Sequence, residues 1–420
     1  MEREKLYFVL FEQQKGFKVD GMLVDREIRE NAVSFLHLKL PIIITGVRRS
    51  GKSTLLYIIK EKLKLKEKEY LYVNFNDERL VGFSFEDFQS IIDFLNEQNY
   101  DKGCYLFLDE IQETNGWEKW IDRIKEKYPI LITGSNSKLL SKEISTVLTG
   151  RSISISLYPF SFREFLESKK VKTENWSIDL KLQARLRKEF SQFVLSGGIP
   201  KAIVDNDKRL LQENYENILY RDIIKRFNKN LEKSIKEISV YLLSNVSNEI
   251  SIRSLSKTIQ ISNLSTVKSI LETFEKAFLF FFVNKFDYSV KKQIQNPRKA
   301  YCVDTGFINE VGFSFSEDKG RILENIVFLE LKRSHEEIYY FSEKGECDFL
   351  LRKGIKIHQA IQVCHQLNEK NKERELSGLL EAMDKFNLKE GLILTYSQEE
   401  QITEGKKRII VKPVWKWILE

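Results

Sequence analysis

The sequence is poor in the residues that staple or break chains: 4 Cys, 6 Pro and 4 His in 420 residues. Cys104, Cys302, Cys347 and Cys364 show no C-x-x-C spacing, which excludes a disulfide framework and a cysteine zinc site and fits a reducing cytoplasm. His37, His335, His358 and His365 are scattered. Only Cys364 and His365 are neighbours, and adjacent residues of a strand face opposite ways, so no structural metal is expected. Long apolar runs are missing too; residues 277–283 fall far short of the roughly 18 to 20 needed to cross a bilayer. No membrane partner is expected. Met1-Glu-Arg-Glu-Lys is charged, with no apolar stretch of signal-peptide length behind it, so export is not expected either. The net charge, +7 from 68 basic and 61 acidic residues, is too small to mark a nucleic-acid binder, and its local distribution has to decide.

What is present is the material of folded cores, 42% hydrophobic and 31% charged residues. At about 150 residues per domain the length predicts two or three domains. The first forty residues read as a lead-in helix ending at Pro41. Short β-rich runs then alternate with helical stretches, at 42–45, 70–75, 105–108, 130–133 and 153–157, the signature of a parallel α/β sheet covered on both faces. The highly charged run 60–69 reads as a solvated helix face. After Tyr158-Pro159-Phe160 helical periodicity takes over to about residue 250, with a break at Gly197-Gly198-Ile199-Pro200. Two short helices, a strand at 277–286, a polar turn at 288–297 and a returning strand at 300–304 then predict a winged helix. From residue 320 a further α/β pattern begins, with strands expected at 338–341, 347–351, 359–363 and 391–395. The expected segments are therefore 1–160, 161–250, 251–319 and 320–420.

Gly46-Val47-Arg48-Arg49-Ser50-Gly51-Lys52-Ser53 fits G-x-x-x-x-G-K-[ST], directly after an apolar strand and before a helical run. The glycines let the backbone curl so that successive N–H groups face phosphate oxygens, and the helix N-terminus adds a favourable dipole. Lys52 would neutralise β- and γ-phosphate charge, Ser53 coordinate Mg²⁺ and Thr54 support the α-phosphate. The strand Tyr105-Leu-Phe-Leu-Asp109-Glu110 supplies the second half. Asp109 would hold Mg²⁺ through its water shell, and Glu110 would polarise the attacking water. A third strand ends in Gly134-Ser135-Asn136-Ser137, where Asn136 or Ser135 could sense the γ-phosphate. Arg151 and Arg163 are candidate arginine fingers, weighed against ordinary surface ion pairs.

These motifs, with LTGRSISISLYPFSFREF (148–165), SGGIP (196–200), RILENIVFLEL (321–331), ECDFLL (346–351) and AIQVCH (360–365), resemble a family of prokaryotic AAA+-like ATPases. That family is related to the signal-transducing STAND branch and carries a winged helix and a C-terminal PD-(D/E)XK, restriction-endonuclease-like domain. The resemblance covers about residues 20–400. It implies an α/β fold with an ASCE/AAA+-type P-loop NTPase sheet whose sensor strand lies between the other two motif strands. It further implies ATP as ligand, Asn136 or Ser135 as sensor, and Arg151 near the site.

Residues 251–299 hold nine basic side chains against three acidic ones. The expected recognition helix offers Asn263, Thr266 and Lys268 for bases or phosphates, and the wing Lys291, Lys292, Arg298 and Lys299. These are the candidate contacts to double-stranded DNA; the alternative is that the module only packs the ATPase onto the C-terminal domain. A PD-(D/E)XK nuclease needs two metal-binding carboxylates and a lysine. Glu324 and Asp348 are present, but the third position reads Gln362-Val363-Cys364, an amide and a thiol in place of the second acid and the lysine. Glu346 is a possible second carboxylate, on the same strand face as Asp348. A nuclease-like fold kept for binding, catalytically degenerate, is the preferred reading.

Three functions remain open on the sequence: an ATP-hydrolysing switch that repositions the winged helix and C-terminal domain, an ATP-gated DNA-binding or scaffold protein with negligible turnover, and an ATP-regulated nuclease. A protein partner or self-association would fit any of them.

Overall fold

The computed structural model describes residues 1–19, 21–134, 150–312, 319–334 and 337–420. They form two compact units, Met1–Tyr158 and Pro159–Glu420.

The first unit is built on five parallel strands, β1 (Ile42–Thr45), β2 (Tyr70–Asn74), β3 (Tyr105–Asp109), β4 (Ile130–Gly134) and β5 (Ile153–Ser156), in the order β2-β3-β4-β1-β5. Strand β1 reads Ile-Ile-Ile-Thr and is buried throughout, as a strand covered on both faces must be. The pleat sends its side chains to opposite faces. Ile43 joins Leu71, Leu106 and Ile132 under the helices Arg3–Gly16, Phe88–Glu97 and Trp117–Ile124. Ile42 and Ile44 join Phe107 and Leu131 against Leu55, Leu56 and Ile59 of the helix Lys52–Lys62.

The lead-in helix Arg3–Gly16 guards the sheet edge. The Gln13 amide donates to Asn74 O (3.0 Å) and accepts from Asn74 N (2.9 Å). Gln14 donates to Tyr70 O (3.0 Å) and accepts from Tyr72 N (3.0 Å). Two amide side chains thus satisfy backbone groups that edge strand β2 would otherwise expose to another chain.

In the second unit, helices run from Phe162–Ser168 through Leu180–Ser196, Pro200–Val204 and Arg209–Asn217 to Glu232–Ser244. The first is set by a capping box, Ser161 with Glu164. A nine-stranded mixed sheet follows: β6 (Glu249–Ile250), β7 (Phe280–Lys285), β8 (Arg298–Cys302), β9 (Glu337–Ser342), β10 (Glu346–Lys353), β11 (Lys356–Val363), β12 (Glu390–Thr395), β13 (Glu400–Glu404) and β14 (Lys407–Pro413), ordered β13-β14-β12-β11-β10-β9-β7-β8-β6. Strands β7 and β9 pair in parallel, Asn284 with Tyr339 and Lys285 with Tyr340. Segments that the sequence separates near residue 319 therefore share one sheet. The expected polar turn at 288–297 holds the helix Val290–Gln295, started by the Ser289 side chain capping Lys292 N and closed by Pro297, whose predecessor is held out of helix. Among the described residues no helix is long and apolar enough to cross a membrane.

Candidate nucleotide site and a buried ion cluster

The carboxyl edge of the five-stranded sheet gathers the first site. Strand β1 ends at Thr45, and the loop 46–51 feeds the helix Lys52–Lys62 through Gly51, which adopts a left-handed φ of 93°. Gly46 is required by close approach: a Cβ there would lie 2.1 Å from Leu157 O. Lys52 is only 5% exposed, and its Nζ sits inside the loop, 3.1 Å from Gly46 O and 3.2 Å from Val47 O. A positive charge and the helix N-terminus thus converge where an anion would lie. The buried Ser50 hydroxyl has no hydrogen-bond partner among the described residues.

Asp109 closes the site from the tip of β3. Its buried carboxylate accepts from the Tyr72 phenol on β2 (2.8 Å) and from the Thr133 hydroxyl on β4, and the Ser53 hydroxyl at the start of the helix faces it. Burial pushes this carboxyl up from its ordinary range, and the three hydroxyls oppose the rise. Glu110 follows in a left-handed conformation, φ 53°. Its N–H donates to Thr133 Oγ1 (3.2 Å) and its carboxylate accepts from the Gln112 amide. The structure brings Lys52, Ser53, Asp109 and Glu110 together. A hydroxyl and a carboxylate side by side beneath a phosphate-type loop are the hard oxygen donors that Mg²⁺ with a nucleotide takes.

The other predicted residues fare differently. Ser135, Asn136 and Ser137 lie outside the described residues. For Arg151 the expectation that it reaches the site of its own chain is corrected. Register pairs Ile42 with Ile153, so Arg151 lies at the amino end of the strands, whereas the phosphate-type loop leaves from Thr45 at the carboxyl end. Four residues of strand separate them, about 13 Å, and Arg151 faces Asp122 at 3.5 Å. Arg163 belongs to the second unit.

Sequence reasoning missed Arg26, Tyr72 and Thr133. Arg26 is 4% exposed and donates to Ser50 O (2.8 Å) and Tyr158 O (2.7 Å), bracing the loop from below. Nothing in its local surroundings, Val-Asp-Arg-Glu, signals this, because its partners are remote in sequence.

The helices and hairpin of 251–302 enclose a groove of about 800 Å³ lined by Arg253, Ser265, Lys268, Asn284 and Arg298 among others. Lys268 and Lys291 are exposed and Thr266 is half-buried. Lys292 is exposed and lies 4.0 Å from Asp287. Arg298 stacks over Phe282 at 4.8 Å. Asn263 caps the helix Leu264–Lys276 by accepting from Ser265 N. Its side chain is thereby engaged locally.

Lys299, expected on an exposed wing, is instead 2% exposed. Strand alternation turns it away from Arg298 and into the sheet. Its Nζ lies 2.8 Å from Asp348 Oδ1, 3.1 Å from Glu324 Oε1 and 2.6 Å from Glu346 Oε1. Glu324 also accepts from the Tyr301 phenol (2.6 Å), and Asp348 Oδ2 from Val363 N (2.8 Å). Burial first, then the neighbouring Asp348, pushes the Glu324 carboxyl up to about 8. Lys299 is held well above its ordinary range by Asp348 and Glu324 against the opposing cost of burial. Gln362 is committed at both ends, accepting from Asp348 N (3.2 Å) and donating to Glu375 (2.6 Å). The Cys364 thiol is buried and pushed up to about 12 by desolvation. Among the described residues no group of three or more His, Cys, Asp or Glu is placed to hold a metal ion.

Comparison with known proteins places these features. Residues 39–166 match the family described as AAA domain, and residues 187–317 match a domain of unknown function, DUF8612. An uncharacterised protein of Methanocaldococcus jannaschii is 37% identical over 403 residues, 90% of this chain and 88% of that one. An uncharacterised protein of Haemophilus influenzae is 30% identical over 392 residues, 90% of this chain and 94% of that one. Among solved structures, a Signal Transduction ATPase with Numerous Domains from Pyrococcus horikoshii, with a tetratricopeptide repeat sensor, is similar over 75% of this chain and 46% of that chain, with TM-score 0.27 and 14% identity. The loop, the acid pair and the sheet that carries them all fall within the AAA match, and likeness to the first two proteins runs almost end to end: the chain belongs to their family and carries an AAA+-like P-loop ATPase domain.

Proposed function

We propose that the protein is an ATP-hydrolysing switch whose nucleotide state is read out by the second unit. The observation that carries this is the Lys52 ammonium held inside the loop that leaves β1, with Asp109 at the tip of β3 and Ser53 beside it. Backbone N–H groups of 46–54 bind the phosphates, Lys52 neutralises the β- and γ-phosphates, and Ser53 with Asp109 would hold Mg²⁺. When bound, Mg²⁺ supplies charge neutralisation across the β- and γ-phosphate oxygens. Glu110 orients and polarises the attacking water, with Gln112 and Thr133 fixing its position. The Asn136 side chain is the proposed γ-phosphate sensor.

The output module is a winged helix contacting double-stranded DNA. This is supported by the order helix, strand, helix, helix, strand, short helix, strand from Glu232–Ser244 to β8, with the helix Val290–Gln295 between the last two strands and β8 paired to both β6 and β7. Thr266, Lys268, Lys291, Lys292 and Arg298 are the proposed contacts, with Asn263 setting the start of the recognition helix. Residues 320–420 are proposed as a nuclease-like fold without nuclease chemistry, on Gln362 and Cys364 standing where an acid and a lysine are needed.

Steady-state ATP hydrolysis with Mg²⁺, with and without duplex DNA, tests the switch. Lys52→Ala is expected to lose ATP binding, and Glu110→Gln to bind ATP but lose turnover. Equal ATP binding by the Lys52 variant would overturn the assignment. Charge reversal of Lys291 and Lys292 should weaken DNA binding and flatten its salt dependence; an unchanged salt slope removes the hairpin from the interface.

A further inference from the structure

Hard, buried carboxylates converging on one point are the composition that takes a divalent cation. Glu324 of the helix Lys319–Arg333 and Asp348 of β10 converge in this way, with Glu346 at the rim. Their common point is occupied by the Lys299 ammonium, delivered from β8 and touching all three carboxylates at 2.6 to 3.1 Å. Further hydrogen bonds hold the cage. Tyr301 donates to Glu324, Val363 N–H donates to Asp348, and the Gln362 amide is turned to Asp348 N and Glu375. An ammonium and a divalent ion cannot share one oxygen cage, because each charge repels the other at contact distance.

We propose that Lys299 is the resident cation of this cage, so that the site is closed to divalent metal and serves as an ion-pair pin fastening the β7–β8 hairpin to β10 and to the helix Lys319–Arg333. The residues present therefore do not fit the metal centre that a PD-(D/E)XK resemblance implies. The pin lies one residue from Arg298, which lines the groove of the proposed DNA module. Movement of the hairpin is thus tied to the C-terminal part of the sheet. These ion pairs hold the hairpin whether or not the loop at 46–54 turns over ATP.

Titration of nucleotide-free full-length protein with Mn²⁺, followed by the electron paramagnetic resonance signal of the free ion, tests it. The unaltered protein is expected to show no Mn²⁺ site that Asp348→Asn removes. Lys299→Met is expected to gain one such site per chain, binding at least tenfold tighter than any in the unaltered protein, with a melting temperature that rises on Mn²⁺ addition. Lys299→Met combined with Asp348→Asn should lose both effects. Mn²⁺ bound by the unaltered protein and released by Asp348→Asn would overturn the proposal, and that titration decides even if Lys299→Met does not fold. A folded Lys299→Met chain with no gained site would overturn it equally.

Discussion

The phenol of Tyr72 donates a 2.8 Å hydrogen bond to Oδ2 of Asp109, from the strand beside the one that ends in the acid. With Thr133 on the other flanking strand, it makes two hydroxyl donors on one buried carboxylate. Tyr72→Phe removes one donor while keeping the ring stacked on Phe17 at a centroid distance of 3.9 Å. Such a loss costs about 1 to 2 kcal/mol when the acceptor is buried and charged. Urea denaturation should show that drop with an unchanged far-ultraviolet circular dichroism spectrum. A variant as stable as the parent would mean that water replaces the phenol.

Local and long-range features were not equally legible. The Ile-Ile-Ile-Thr and Tyr-Leu-Phe-Leu-Asp runs announce buried parallel strands, and the spacing of Gly46, Gly51 and Lys52 announces the loop, because each is written in consecutive residues. Lys299 was misread for the opposite reason. Flanked by Arg298 and Ala300 it looks like wing charge, and only partners 25 and 49 positions away show that it is buried. Arg26 and Tyr158 are 132 positions apart, beyond the reach of any periodicity. The helix Val290–Gln295 did have a signal, since Ser289 and Pro297 bracket it, but six residues give too little periodicity to outweigh their polar character.

Arg26 braces the phosphate-type loop by filling two buried carbonyls at once, those of Ser50 and Tyr158. Arg26→Ala leaves both without this donor, at a cost of roughly 2 to 3 kcal/mol, and frees the loop to leave its phosphate-binding shape. ATP affinity should fall at least tenfold in fluorescent-nucleotide titration. Arg26→Lys should recover little of this, because one ammonium lacks the planar fork that spans two acceptors. Parent-like affinity in Arg26→Ala would show that the loop holds its shape without the brace.

Arg151 is 60% exposed beside Asp122 at 3.5 Å, at the end of the sheet away from Lys52. An exposed pair of this kind contributes under about 1 kcal/mol. Arg151→Ala is therefore expected to leave both stability and ATP turnover close to the parent. A fall in turnover of tenfold or more, steepening with protein concentration, would instead place this guanidinium against a phosphate held by a neighbouring chain.

Asp304 links the Gly197-Gly198 break to the start of the helix Thr305–Val311. Its Oδ2 accepts from Gly198 N (2.7 Å) and its Oδ1 from Gly306 N (2.8 Å). The glycines are needed for this approach, since a Cβ at Gly197 would lie 1.9 Å from Oδ1. Burial pushes the Asp304 carboxyl up to about 7, against the pull of the backbone donors and Arg333. In the unfolded chain an aspartate titrates near 3.9, so the folded state favours the protonated form. The stability this group contributes is fully present below about pH 4 and is lost as the pH rises through about 7. Asp304→Asn keeps an acceptor for Gly306 N but cannot ionise. It should be less stable than the parent at pH 5 by about 1 kcal/mol, for the lost acceptor of Gly198 N. Between pH 5 and pH 8 the parent should lose roughly 2 to 3 kcal/mol through this group, more than that advantage, while the variant has not changed through it. Urea midpoints measured at each pH from 5 to 8 would show the two curves crossing; parallel curves would mean that Asp304 is already ionised at pH 5 and that the backbone donors outweigh burial.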